Sequence, residues 1–140
     1  MTGVCLAVAA VVRAMLPAAE FTLEWTHSVE KVRWAEDYRV VGDMLSAASA
    51  RVRGSGAGME PPADARLIDG VWHYRPATHE LRELRLAVSP YAADYALCWN
   101  GLCAPVSELV GMRGQVGVVE ISACPHDAGA LPANAVAGRR

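Results

Sequence analysis

An all-β fold, a compact antiparallel sandwich or open barrel of about seven to nine short strands, is what this sequence predicts. Three observations carry that expectation. Apolar and polar residues alternate with period two through Phe21–Val40, the signature of half-buried strands. The dipeptides Asp69-Gly70 and Asn100-Gly101 sit between short apolar runs, where they read as hairpin turns. No internal repeat or heptad breaks the pattern. A chain of 140 residues fits one β domain over 1–124, with 125–140, rich in Ala, Gly, Pro and Asn, expected to be a disordered tail.

In chain order, the apolar run Val4 to Val12 is read as a buried first strand. Its length also suits a signal-peptide core, so an uncleaved or degenerate export signal is the alternative. No Lys or Arg precedes the run, and Cys5 comes too early for lipid attachment.

A three-strand meander follows. Phe21, Leu23, Trp25 and Val29 share one face of the first strand with His27, and Trp34, Tyr38 and Val40 share one face of the second with Glu36. A four-residue loop over Glu30 to Arg33 sets Trp25 opposite Tyr38, Leu23 opposite Val40 and His27 opposite Glu36. The reversal at Gly42 and Asp43 then sets Val40 against Leu45, Tyr38 against Ala47 and Glu36 against Ser49. His27, Glu36 and Ser49 thus form a candidate inward-facing polar cluster.

The glycine-rich Gly54, Ser55, Gly56, Gly58 and Met59 are a candidate binding loop. A phosphate cradle would need a helix opening directly behind the glycines, and Pro61-Pro62 stands there instead, so a chain bend is the plainer expectation. Beyond it, the sequence predicts a hairpin around Asp69-Gly70, a strand from Leu84 to Val88, a hairpin around Asn100-Gly101, a helical turn over Val106 to Val110 and a last strand from Gln115 to Cys124.

The Asn-Gly turn sets Trp99 opposite Leu102 and Cys98 opposite Cys103, close enough for a disulfide. Cys5 and Cys124 lie in the first and last strands. They pair if those strands are neighbours, and are buried thiols otherwise. The even count leans toward an oxidising compartment, periplasm or cell envelope, with the cytoplasm as the alternative. A formal net charge of −2, with arginines dispersed, gives no footprint for nucleic acid, and no apolar run reaches the roughly eighteen residues of a membrane span. Neither a metal nor a cofactor is expected, because His73, His79 and His126 are scattered away from the cysteines.

With these residues assembled, the chain resembles the family known as domain of unknown function 1850. The resemblance rests on Trp25-Thr26-His27-Ser28-Val29-Glu30-Lys31, on Trp34 with Glu36-Asp37-Tyr38-Arg39-Val40, on Gly54 to Pro62, and on Leu97-Cys98 with Gly101 and Cys103. The family has no assigned activity. Its genes often stand beside those of TRAP-type transporters, which implies an accessory role at the cell envelope with a transporter or solute-binding subunit as partner.

Two functions follow as expectations. One is a non-enzymatic binding module. The other is a small hydrolase or acid-base enzyme in which Glu36 orients His27 and Ser49 supplies the hydroxyl. A His27–Glu36 pair that merely fixes strand register would need neither.

Overall fold

The computed structural model describes residues 2–26, 33–53, 62–76 and 80–125. They form a sandwich of two antiparallel sheets, not a closed barrel. Twelve strands appear among the described residues: β1 (Thr2–Val8), β2 (Val11–Leu16), β3 (Glu20–Thr26), β4 (Arg33–Val41), β5 (Met44–Arg53), β6 (Arg66–Ile68), β7 (Val71–Tyr74), β8 (Glu80–Leu81), β9 (Glu83–Val88), β10 (Ala96–Trp99), β11 (Leu102–Pro105) and β12 (Gly117–Pro125). A single helical turn, α1 (Val106–Leu109), follows β11. The smaller sheet runs β2-β1-β12-β9, the larger β11-β10-β3-β4-β5-β7-β6, and β8 also pairs with β5.

The expected first strand is two. Ala9 and Ala10 adopt φ of 52° and 67°, folding Val4–Val12 into the hairpin β1–β2. Alanine is not a turn signal, because its Cβ makes this left-handed backbone unfavourable. Tertiary pairing imposes the reversal. The Asp69-Gly70 and Asn100-Gly101 turns form as expected, with positive φ at all four residues, and they set Ile68 opposite Val71 and Trp99 opposite Leu102.

The β3–β4 register differs from the expected one. Trp25 pairs with Trp34, Leu23 with Glu36 and Phe21 with Tyr38, four residues away from the expected alignment. An even shift leaves every side chain on its expected face, so the apolar pattern is equally satisfied by both alignments. In the observed one the rings stack across the strands: Phe21 on Tyr38 at 5.2 Å and Trp25 on Trp34 at 5.6 Å.

The β4–β5 pairing starts as expected, with Val40 opposite Leu45 and Tyr38 opposite Ala47, and then slips. Ala48 is an extra residue on β5, so Asp37 pairs with Ser49 and Glu36 with Ala50. This β-bulge reverses the alternation after Ala47. Ala50 and Val52 turn to the core, where they are buried, and Ser49 and Arg51 face outward.

The core lies between the sheets. Leu6 and Val4 from β1, Leu16 from β2, Ile121 and Val119 from β12, and Leu23, Leu45 and Leu97 from the large sheet are almost wholly enclosed. Burying each such side chain contributes about 1.5–3 kcal/mol. The end of the chain closes onto its beginning: β1 pairs with β12, and Cys5 is bonded to Cys124 across 119 residues. At the end of α1, the Arg13 guanidinium donates to the Val110 carbonyl at 3.0 Å, so a carbonyl left open by the short helix finds a partner.

Candidate functional site

Glu36 and Asp37, adjacent on β4, point to opposite faces of the large sheet. Glu36 is half-buried on the inner face, opposite Leu23 and Ala50, and accepts a hydrogen bond from the Tyr38 hydroxyl at 2.6 Å. Burial, then this bond to Glu36, pushes the Tyr38 phenol far above its ordinary value. Burial and the Glu36 charge raise Tyr74 as well. Glu36 therefore works as the acceptor for the buried Tyr38 phenol, which stays protonated.

Asp37 lies on the outer face and gathers donors from the two strands that flank it, β3 and β5. Its Oδ1 accepts from the Thr22 hydroxyl on β3 at 2.7 Å and from Arg51 Nη2 on β5 at 3.1 Å. Its Oδ2 accepts from the Ser49 hydroxyl at 2.6 Å and from Arg51 Nη1. Burial alone would raise the carboxyl, but the bonds from Arg51, Ser49 and Thr22 together outweigh it and hold the group at about 2. Arg51 is correspondingly pushed up by its bond to Asp37. A carboxylate this acidic is a poor general base, since catalysis at neutral pH favours a group that titrates near it.

Thr22, Asp37 and Ser49 of this cluster line an open concavity of about 760 Å³, walled also by Glu20, Arg39, Ala48, Cys98 and the Asn100-Gly101 turn. The volume falls in the range of small-ligand sites. Thr22 and Ser49 each commit their one hydroxyl proton to Asp37, so towards the concavity they present lone pairs. The acceptors the lining offers are thus these hydroxyl lone pairs, beside a Glu20 carboxylate that pairs with Arg39 at 3.6 Å.

Of the candidate residues read from the sequence, the structure separates Glu36 from Ser49, which lie on opposite faces because of the Ala48 bulge. His27 lies outside the described residues, as do Gly54, Ser55, Gly56, Gly58 and Met59. Leu23 occupies the place opposite Glu36 where His27 was expected. Both expected cysteine pairs are bonded: Cys98 to Cys103 across the Asn-Gly hairpin, and Cys5 to Cys124. Thr22, Asp37 and Arg51 were missed as site residues. The clue was present in the alternation of β3 and β4, which puts Thr22 and Asp37 outward, but their contact depends on the register. Among the described residues, no group of three or more His, Cys, Asp or Glu side chains is placed to hold a metal, and no helix is long and apolar enough to cross a membrane.

Comparison with curated proteins and with solved structures gave no match in either set. The family model described as Domain of unknown function (DUF1850) matches residues 21–106, which run from the first residue of the Phe21–Tyr38 stack through both hairpin turns into α1. With more than half of its residues matched, the chain belongs to the family Domain of unknown function (DUF1850).

Proposed function

We propose that this protein is a non-enzymatic binding module of the cell envelope, acting as an accessory to a TRAP-type transporter or its solute-binding subunit. The observation that carries the binding reading is the concavity over Thr22, Asp37 and Ser49, with the hydroxyl lone pairs it offers. Its central carboxylate is saturated with donors and too acidic to take a proton from Ser49 at neutral pH. Such a floor suits a ligand or partner loop that brings donors, an amine or a row of hydroxyls. The two disulfides favour an oxidising compartment. The transporter association comes from the genomic neighbourhood of the family.

The test is affinity capture from detergent-solubilised envelope membranes, with the wild-type chain and with Ala48→Arg, whose exposed side chain would fill the concavity. The wild type recovers a TRAP transporter or solute-binding subunit and the variant does not. If neither recovers one, the transporter role fails. If both recover it equally, the concavity is not the contact.

A further inference from the structure

The two disulfides stand in different surroundings. Cys5 and Cys124 belong to β1 and β12, the inner strands of the small sheet. Cys5 is buried, with Met15 of β2 directly opposite it, and Cys124 is half-buried. Cys98 and Cys103 belong to β10 and β11, and β11 is an edge of the large sheet, where Cys103 is exposed. Both point outward, because their neighbours Leu97, Trp99 and Ala104 are buried on the inner side. Those three side chains, with Val106 just beyond β11, anchor both strands in the core, and the Asn100-Gly101 turn fixes their register. The bond itself spans a separation of 5, against 119 for Cys5–Cys124, so it removes much less freedom from the unfolded chain. As a staple it is the weaker of the two, and it joins strands that are already held.

We propose that Cys98–Cys103 is a thiol–disulfide exchange site of the folded protein, with Cys103 as the sulfur attacked. A thiolate must approach one sulfur along the S–S axis, opposite the sulfur that leaves. Cys98 and Cys103 are direct cross-strand partners, so this axis runs across the strands. Followed from Cys98 through Cys103, it leads off the sheet at β11, beyond which no strand lies among the described residues. Followed the other way, it leads over Thr22 of β3, the partner of Cys98. The incoming thiolate therefore bonds to Cys103 Sγ, the S–S bond breaks, and its electron pair goes to Cys98 Sγ, which takes a proton from water. A second thiolate attacks the incoming sulfur of this mixed disulfide and releases Cys103, which is protonated in turn. Two thiols are oxidised to one disulfide, and the protein's own disulfide is reduced to two thiols. The substrate is thus a thiol, either a small one such as glutathione or the cysteine of a dithiol oxidoreductase. Exposed disulfides are the labile class, and buried ones resist reduction. Cys98 also lines the concavity beside Thr22, so exchange turns one sulfur of its wall into a free thiol.

The test uses the full chain with both disulfides formed. It is incubated under native conditions with reduced glutathione or with reduced thioredoxin, trapped with N-ethylmaleimide, and mapped by mass spectrometry. Cys98 and Cys103 should be labelled about tenfold faster, or more, than Cys5 and Cys124. Circular dichroism should stay native, and urea too dilute to unfold the chain should leave the rate unchanged. At early times the mixed disulfide, with glutathione or with thioredoxin lacking its second active-site cysteine, should sit on Cys103 and the maleimide on Cys98. Reduction by glutathione assigns a small thiol as substrate, and reduction by thioredoxin alone assigns a protein thiol. Reduction by neither overturns the proposal. Equal labelling of all four cysteines, a rate that climbs with urea as global unfolding does, or a mixed disulfide on Cys98 would each overturn it as well.

Discussion

Replacing Asp37 by Asn tests the centre of the outer-face cluster, because it preserves shape while removing charge. The wild-type carboxyl is held at about 2 against an ordinary value of 3.8. At about 1.4 kcal/mol per pH unit, that difference would be worth about 2.5 kcal/mol for an enclosed group. Asp37 keeps 31% of its side chain exposed, so water screens the interaction, and about 1 kcal/mol is the realistic ionic share. The amide also points an N–H₂ at one of the donors that the carboxylate accepted, adding about 1 kcal/mol for a mismatched hydrogen bond. At pH 6, Asp37→Asn should therefore be about 2 kcal/mol less stable than wild type. Because folding lowers this pKa, the carboxylate's contribution is complete above about pH 4 and is lost as the pH falls towards 2. There the unfolded chain has taken up its proton and the folded one follows. The gap between the two proteins should shrink to about 1 kcal/mol at pH 2. Urea unfolding followed by tryptophan fluorescence at pH 6, 4, 3 and 2 measures this. A gap that stays constant from pH 6 to 2 would mean that ionised Asp37 does not hold Thr22, Ser49 and Arg51 together.

The other predictions concern the frame around the site. Ala10→Gly relieves a left-handed alanine at φ 67° and should stabilise the protein by about 1 kcal/mol, raising Tm by a few degrees; a lower Tm would show that the β1–β2 turn is not formed this way. Removing the 119-residue closure with Cys5→Ser/Cys124→Ser should cost about 4–5 kcal/mol, while Cys98→Ser/Cys103→Ser, which opens a separation of 5, should cost about 2. Equal losses in chemical denaturation would contradict the chain-entropy account. Deleting Ala48 removes only the unpaired residue, so Ala50 and Val52 should stay in the core and Arg51 and Arg53 outside on a regular strand, with stability within about 1 kcal/mol of wild type. The deletion variant should keep a cooperative unfolding transition, and loss of cooperativity would refute the bulge.

Much of this fold could be read locally. The turns at Asp69-Gly70 and Asn100-Gly101 formed where the dipeptides stand, since positive φ is a property of those two residues and little else. The facing of Phe21, Leu23, Trp25, Trp34, Glu36 and Tyr38 was equally legible, because alternation is a short-range pattern. The candidate site was less so. Glu36 was recognised as inward, but its partner proved to be Tyr38, two residues along its own strand. Ser49 was assigned to the inner face by a count that ran through Ala48 without the bulge. Nothing in Ala47-Ala48-Ser49 announces an extra residue. The bulge makes sense only once Ala50 and Val52 are seen to be required in the core.

What the sequence by itself determined, then, is the strand-rich class, the faces of the β3 and β4 residues, the two-residue turns and the Cys98–Cys103 bond, all set by contacts within a few residues. The tertiary structure decided the register of β3 on β4, the Ala9-Ala10 reversal, the pairing of β1 with β12 that joins Cys5 to Cys124, and the assembly of Thr22, Asp37, Ser49 and Arg51. These are choices among alternatives that local patterning satisfies equally well. A shift by an even number of residues preserves every apolar face, so only the simultaneous packing of both sheets, with their ring stacks and buried side chains, selects one alignment.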